Sequence, residues 1–389
     1  MKNRLWSLTL GNFAIGTGAM IMPGMLNALT ESLAVSPAAV GLLMSAFAAT
    51  ICLAGPVMAG LTSRIERRPL LAGCLLLYAL GHLAAALAPG YYTLMGVRVL
   101  TAVGAGLFTS QAAATTSVMV QATERGRAIA MVFLGWSIAA VLGVPLGSWL
   151  SAQLGWRVTM ALVALLAACC AATVWRQVPA GLFVEPMDAR AWKSLGRNRV
   201  LLLVVAVTAT QAAGQFAVMS YLALLLRHSL DASALTISVM FAVFGVAGVT
   251  GNVLGMRVVD RLGASRVAMT GMACMASAFA LWPLAGGSVA ATGLLVGLWG
   301  LGCFSVNGIQ QARLVSLAPG LASASVALNS SAIYFGQAAG ALVGGAMISA
   351  SLQMHWLTGM GSALIVAAIL MSQLAMKLSQ RAGAAGAAA

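Results

Sequence analysis

The chain has 389 residues, of which 61% are hydrophobic and only 7% charged, with a mean hydropathy of +0.97. A soluble domain is about a quarter charged, so this composition excludes a soluble enzyme or binding module and indicates a polytopic membrane protein. The net charge of +14 does not signal nucleic acid, because the basic residues belong to short loops between apolar runs. The six cysteines (Cys52, Cys74, Cys169, Cys170, Cys274, Cys303) fall inside apolar runs without a CxxC pair, so no metal, cofactor or disulfide framework is expected.

Lys2 and Arg4 before an apolar run imitate a signal peptide, but the run continues to about Asn27 and reads as an uncleaved first span. Twelve stretches are long enough to cross a bilayer, at 5–27, 37–62, 70–88, 92–117, 127–150, 158–175, 200–225, 234–256, 267–285, 289–314, 322–350 and 356–376. The long polar connection Arg176–Arg199 divides them into six and six. The expected organisation is an N-terminal six-helix bundle over 1–175, a cytoplasmic linker over 176–199, a C-terminal bundle over 200–377 and a low-complexity, disordered tail over 378–389. With the N-terminus cytoplasmic, 18 of the 21 basic residues fall on that side and Arg157 and Arg227 on the other. This bias places both termini and the central loop in the cytoplasm.

The halves repeat at an offset of 196–197 residues. SRIERRP after span 2 (Ser63, Arg64) aligns with DRLGASR after span 8 (Asp260, Arg261), and GAGLF in span 4 with GLGCF in span 10. Span 5 carries small residues at every fourth position, Gly135, Ala139, Gly143 and Gly147, with Pro145 expected to bend it. Span 11 carries a second copy at Ala332, Gly336, Gly340 and Gly344. Such stripes let helices approach to backbone contact, and this one is expected at the interface of the two halves. Parallel six-span halves place a substrate site between them near the midplane.

These features together resemble the major facilitator superfamily over essentially the whole chain: all-α, twelve transmembrane helices, two six-helix halves related by pseudo-twofold symmetry. GVPLG resembles the fifth-helix motif of its drug:proton antiporter branch. RVLTAVGAGLF, ERGRAIAMVF and LGVPLGSWLSAQLGWR look most like arabinose-efflux-type (AraJ-like) permeases. The family's loop between spans 2 and 3 usually has an acid, an arginine and a glycine. Here Ser63 and Glu66 stand at the acid and glycine places, whereas the second copy keeps Asp260, Arg261 and Gly263.

Arg98, inside span 4, is the most informative single residue. A guanidinium keeps its proton, and burying it is costly unless polar partners or water meet it; the alternative is snorkelling to the outer interface. The family has an arginine here facing span 1, so the resemblance implies a role in coupling. All seven acidic residues fall in expected loops, with Glu31 and Asp231 as candidate gating acids at repeat-related outer ends. His82, near the outer end of span 3, has the residue type to titrate near neutral pH, and its other, favoured reading is an interfacial histidine. Candidate substrate contacts are then neutral: Asn12, Gln111, Trp136, Gln211, Gln215, Asn307, Gln310, Asn329 and Tyr334. Their other reading is interhelical glue. Candidate coupling or gating residues are Arg98, Gly143, Pro145, Gly147, Gly340, Gly344, Arg64, Asp260 and Arg261.

The function expected is export of a small neutral or weakly amphipathic solute (a sugar-like compound, nucleoside or antibiotic) across the bacterial inner membrane by alternating access and proton antiport. The alternative is an uncoupled facilitator or exchanger of a small metabolite. A membrane-embedded enzyme lacks a visible metal motif, aspartate pair or serine with a base, and a channel lacks a charged filter ring. The expected partners are a small-molecule substrate, the lipid bilayer and protons, with no nucleic acid, and the expected state is a monomer.

Overall fold

The computed structural model describes residues 2–62, 64–121, 124–184, 196–317, 322–350 and 353–387, and every regular element among them is helical. Among the described residues, eleven helices are long and apolar enough to cross a bilayer, and Arg4–Met20 with Met22–Leu33 makes up a further span bent by 43°. Pro23 sits in the first turn after the bend; its ring and missing amide break the helix ladder there.

The remaining spans of the first repeat are span 2 (Pro37–Leu61), span 3 (Arg67–Ala86), span 4 (Tyr91–Met119), span 5 (Arg125–Ile138, Ala139–Gly143 and Val144–Leu154) and span 6 (Trp156–Gln177). In the second repeat, span 7 is Arg199–Met219 with Leu222–Leu230, span 8 is Ala234–Leu262 and span 9 is Ala264–Leu281. Spans 10, 11 and 12 are Val289–Leu317, Ala322–Ser349 and His355–Ala387. Many hydroxyls inside the spans return to their own helix, as in Thr101 Oγ1 donating to the Val97 carbonyl at 2.6 Å and Thr115 Oγ1 to the Gln111 carbonyl at 2.7 Å. That satisfies them where lipid offers no partner.

Span 5 differs from the expected simple bend. Ala139–Gly143 is a single π turn, with the Val144 amide donating to the Ala139 carbonyl. The proline two residues later has no amide to give, and the wider turn absorbs the mismatch. Ala128–Leu154 therefore remains one span. The C-terminus also departs from expectation: the last helix runs on to Ala387 across the segment read as disordered. RAGAAGA is alanine-rich, and alanine has the highest helix propensity.

By contact, the residues fall into two units, Met1–Pro186 with Ser220–Gly245, and Met187–Met219 with Val246–Ala389. Unit 1 thus takes in Ser220–Gly245, parts of spans 7 and 8, a division that differs from the sequence boundary at 176–199. Within unit 1, span 1 packs on spans 5 and 6, and span 3 on spans 4 and 6. Within unit 2, span 7 packs on spans 11 and 12, and span 9 on spans 10 and 12. The same pairing recurs with every number raised by six.

The repeat extends to backbone detail. The helices Met22–Leu33 and Leu222–Leu230 each end in a left-handed residue, Ala34 (φ 52°) and Asp231 (φ 48°), 197 positions apart. Asp231 therefore corresponds to Ala34 and serves as a helix end; aspartate tolerates this conformation better than most residues. The loops after spans 2 and 8 diverge at one point for a backbone reason. Gly263 starts span 9 at φ 81°, whereas Glu66 at the matched place before span 3 has φ −55°. A side chain at positive φ is strained, so the first loop accommodates glutamate by taking another path.

Candidate functional site

Arg98 is buried in unit 1 with His82, Tyr78 and Phe47, all exposed by 1% or less. Its Nη1 donates to the Gly18 carbonyl of span 1 at 3.4 Å, and the guanidinium lies 4.1 Å from the centroid of the Phe47 ring. Arg98 Nε and Nη2 have no partner among the described residues. Arg98 is thus a buried cation and does not snorkel. His82 is buried beside it rather than interfacial: its Nδ1 lies 3.0 Å from the Tyr78 carbonyl and its ring centroid 4.3 Å from that of Tyr78. Tyr78 in turn donates to the Ile15 carbonyl at 2.9 Å. Gly18 admits the cluster, since a Cβ there would stand 2.6 Å from His82 Nε2.

Several candidate amides make hydrogen bonds within or between the helices of their own unit. In unit 1, Asn12 donates to the Val132 carbonyl across spans 1 and 5 at 3.1 Å, leaving its Oδ1 without a partner. Trp136 is half-buried on the same span 5 with an unpartnered Nε1. In unit 2, Thr208 donates to Asn329 Oδ1 across spans 7 and 11 at 2.7 Å, leaving Asn329 Nδ2 unpartnered. Val132 and Asn329, like Asn12 and Thr208, are related by the repeat offset, so an asparagine ties the same two helices together in both units. Gln211 Nε2 donates to Gln215 Oε1 at 3.0 Å, one turn on. Asn307 and Tyr334 are half-buried.

Gln111 and Gln310, expected at the substrate, each accept a hydrogen bond from a buried arginine. Arg67 Nη1 donates to Gln111 Oε1 at 2.6 Å, and Arg313 Nη1 to Gln310 Oε1 at 3.4 Å. Both arginines are at most 5% exposed, although the charge pattern counts them as loop residues. Arg67 also holds the chain leaving span 6. Its amide donates to the Leu182 carbonyl at 2.9 Å and its Nη2 to Val184 at 3.3 Å, while Glu66 Oε1 accepts from the Gly181 amide at 2.8 Å. Glu185, Asp188, Arg190 and Lys193 of the central connection, and Ser63, lie outside the described residues, as does the side chain of Asp260. Arg64 and Arg261 are exposed.

The glycine stripes pack on the first span of their own repeat. Gly135 lies against the Thr9–Phe13 backbone, Gly143 against Thr17 and Gly147 against Ile21. Gly336 and Gly340 lie in the same way against Ala209–Ala217 of span 7, and Gly344 is buried. The expected position at the interface of the halves is therefore replaced by packing inside each unit. The close approach between helices of different repeats falls in unit 1, where a Cβ on Gly245 of span 8 would stand 2.8 Å from the Ala140 carbonyl carbon in the π turn. Where Met22–Leu33 meets Leu222–Leu230 in unit 1, Arg227 Nη1 donates to Glu31 Oε1 at 2.7 Å, and Asn27 Nδ2 to the Ala223 carbonyl at 3.4 Å.

The profile of the Major Facilitator Superfamily matches residues 8–341. The chain belongs to this superfamily. It is 30% identical to the inner membrane transport protein YdhP of Escherichia coli K12 over 371 residues, 94% of each chain. It is 30% identical to a chloramphenicol resistance protein of Streptomyces lividans over 87% of each chain. It is 27% identical to a probable sugar efflux transporter of Pasteurella multocida over 88% of this chain and 84% of the relative. In fold it resembles a bacterial homologue of the human lysosomal transporter Spinster in its inward-facing, occupied conformation, with a TM-score of 0.77 at 15% identity over 97% and 96% of the two chains. As a superfamily member the protein is a multi-span membrane transporter and not an enzyme. Sequence reasoning missed Phe47, Tyr78 and Thr208, which complete the buried polar contacts of this transporter. Phe47 has no sequence signal. Tyr78 and His82 stand four residues apart, one helix face, and that spacing could have paired them.

Proposed function

We propose that this transporter exports a small neutral or weakly amphipathic organic solute from the cytoplasm by alternating access and proton antiport, with both termini cytoplasmic. The observation that carries the substrate class is the set of buried amides with unspent hydrogen-bonding groups, Asn12 Oδ1, Gln211 Oε1 and Asn329 Nδ2. Amides of this kind recognise hydroxyl, amide and carbonyl groups. Two relatives are named for compounds of that chemistry, a chloramphenicol resistance protein and a probable sugar efflux transporter. The described acidic side chains that could neutralise a cation, Glu31, Glu66, Glu124 and Asp231, stand at helix ends and loops. That same distribution favours a second reading, an uncoupled exchanger, because proton-driven carriers commonly use a carboxylate inside the membrane.

Proteoliposomes separate these readings. Counterflow of a sugar, nucleoside or amphipathic antibiotic is expected, and a pH gradient is expected to drive concentrative uptake into inverted vesicles. Counterflow without a response to the gradient identifies the exchanger; no counterflow with any member of the panel overturns the substrate class.

Arg98, the π turn with Pro145, and the glycines Gly143, Gly147, Gly340 and Gly344 are proposed to support coupling, and Arg64, Asp260 and Arg261 to act at the basic loops. At the outer end, the Glu31–Arg227 pair is proposed as a gate contact. Its side chains are 65% and 53% exposed, and an exposed pair contributes only about 0–1 kcal/mol. Glu31→Gln is therefore expected to raise labelling of outer-end cysteines by at most about fivefold. A larger rise, or none with altered transport, would show that another contact holds this end.

A further inference from the structure

We propose that the basic end of spans 9, 10 and 12 carries a binding site for a phosphate group. A cleft of about 380 Å³ opens there, wholly within unit 2. Arg313 lines it while only 5% exposed. Its guanidinium meets neutral acceptors: Ser372 Oγ at 2.8 Å, the Ser372 carbonyl at 3.3 Å and Gln310 Oε1 at 3.4 Å. Among the described residues it forms no ion pair. A buried cation satisfied only by dipoles keeps its full charge, and that charge favours an anion at the cavity it lines.

The start of span 9 adds to this field. Ala264, Ser265 and Arg266 line the same cleft, and no side chain caps the helix after Gly263. The first amides of a helix are unsatisfied donors at the positive end of its dipole, an arrangement that receives phosphate oxygens. Arg266 is exposed and adds a second guanidinium, whose planar fork matches two phosphate oxygens. Ser316 and Ser379 supply hydroxyls, and Leu317 and Met376 supply apolar surface beside them. The amides that carry the transport reading, Asn12, Gln211 and Asn329, do not line this cleft; Gln310, which accepts from Arg313, is the candidate substrate contact that adjoins it.

Two sources offer this chemistry: the headgroup of an anionic glycerophospholipid, for which basic pockets between helix ends are suited, and a soluble phosphate. Two measurements on the full-length purified protein distinguish them. Native mass spectrometry compares retention of phosphatidylglycerol with phosphatidylcholine, and melting in detergent compares inorganic phosphate with chloride at equal ionic strength. Arg266→Ala is the main variant, because the residue is exposed and its removal leaves the fold intact; Arg313→Gln is the second, read only where it remains monodisperse. Retention of phosphatidylglycerol over phosphatidylcholine that falls roughly fivefold in Arg266→Ala assigns the lipid headgroup. Phosphate-specific stabilisation that disappears in Arg266→Ala assigns the soluble ion. If neither probe is preferred by the wild type, or if Arg266→Ala leaves both preferences unchanged, the site does not exist.

Discussion

Arg98→Lys and Arg98→Ala are expected to reach the membrane in normal amounts and to lose concentrative transport by about thirtyfold. The lysine variant is the informative one. It keeps the charge, but an ammonium is a compact point charge without the delocalised guanidinium that lies 4.1 Å from the Phe47 ring centroid and donates through Nη1 to the Gly18 carbonyl. A desolvated cation–ring contact of this kind contributes about 2 kcal/mol, which corresponds to the stated loss if the contact is needed in the rate-limiting conformation. Uptake into inverted vesicles measures the loss, and melting in detergent checks that both variants are folded. Wild-type transport by Arg98→Ala would make the residue a passive buried cation.

The second large effect is on folding. A Cβ on Gly135 would stand 2.7 Å from the Phe13 amide nitrogen and 2.9 Å from Asn12 Cβ. Those atoms belong to a helix backbone and its first side-chain carbon, which cannot turn aside. Gly340 is in the same position, 2.8 Å from the Ala217 amide nitrogen. Gly147 instead faces the far end of the Ile21 side chain, which can rotate away. Gly135→Val and Gly340→Val are therefore expected to cost at least about 1–3 kcal/mol by overpacking and to lower the yield of monodisperse protein sharply. Gly147→Ala is expected to melt as the wild type. Equal melting of all three variants would remove the seam as a folding determinant.

The repeat was legible in the sequence because each half must bury the same helix faces, so the matched motifs after spans 2 and 8 survive as letters. The asparagines at 12 and 329 were legible as polar groups in apolar runs, but their partners were not. A helical pattern shows which face is small or polar, never which neighbour lies against it. For that reason the pattern does not show that the glycine stripes pack on the first span of their own repeat, or that Arg67 and Arg313 reach Gln111 and Gln310. His82 was read from its place along the helix, and depth along a helix says nothing about burial around it.

By itself the sequence determined the membrane class, the six-plus-six organisation and the superfamily, because these follow from runs, charges and spacings that need no partner. The tertiary structure decided everything that depends on which helices are neighbours. It set Arg98 against Phe47 and Gly18, turned two loop arginines inward, and converted the strain at Pro145 into a π turn. The physical reason is that a side chain in lipid is judged by its three or four packed neighbours, and those are chosen by the whole bundle rather than by local pattern.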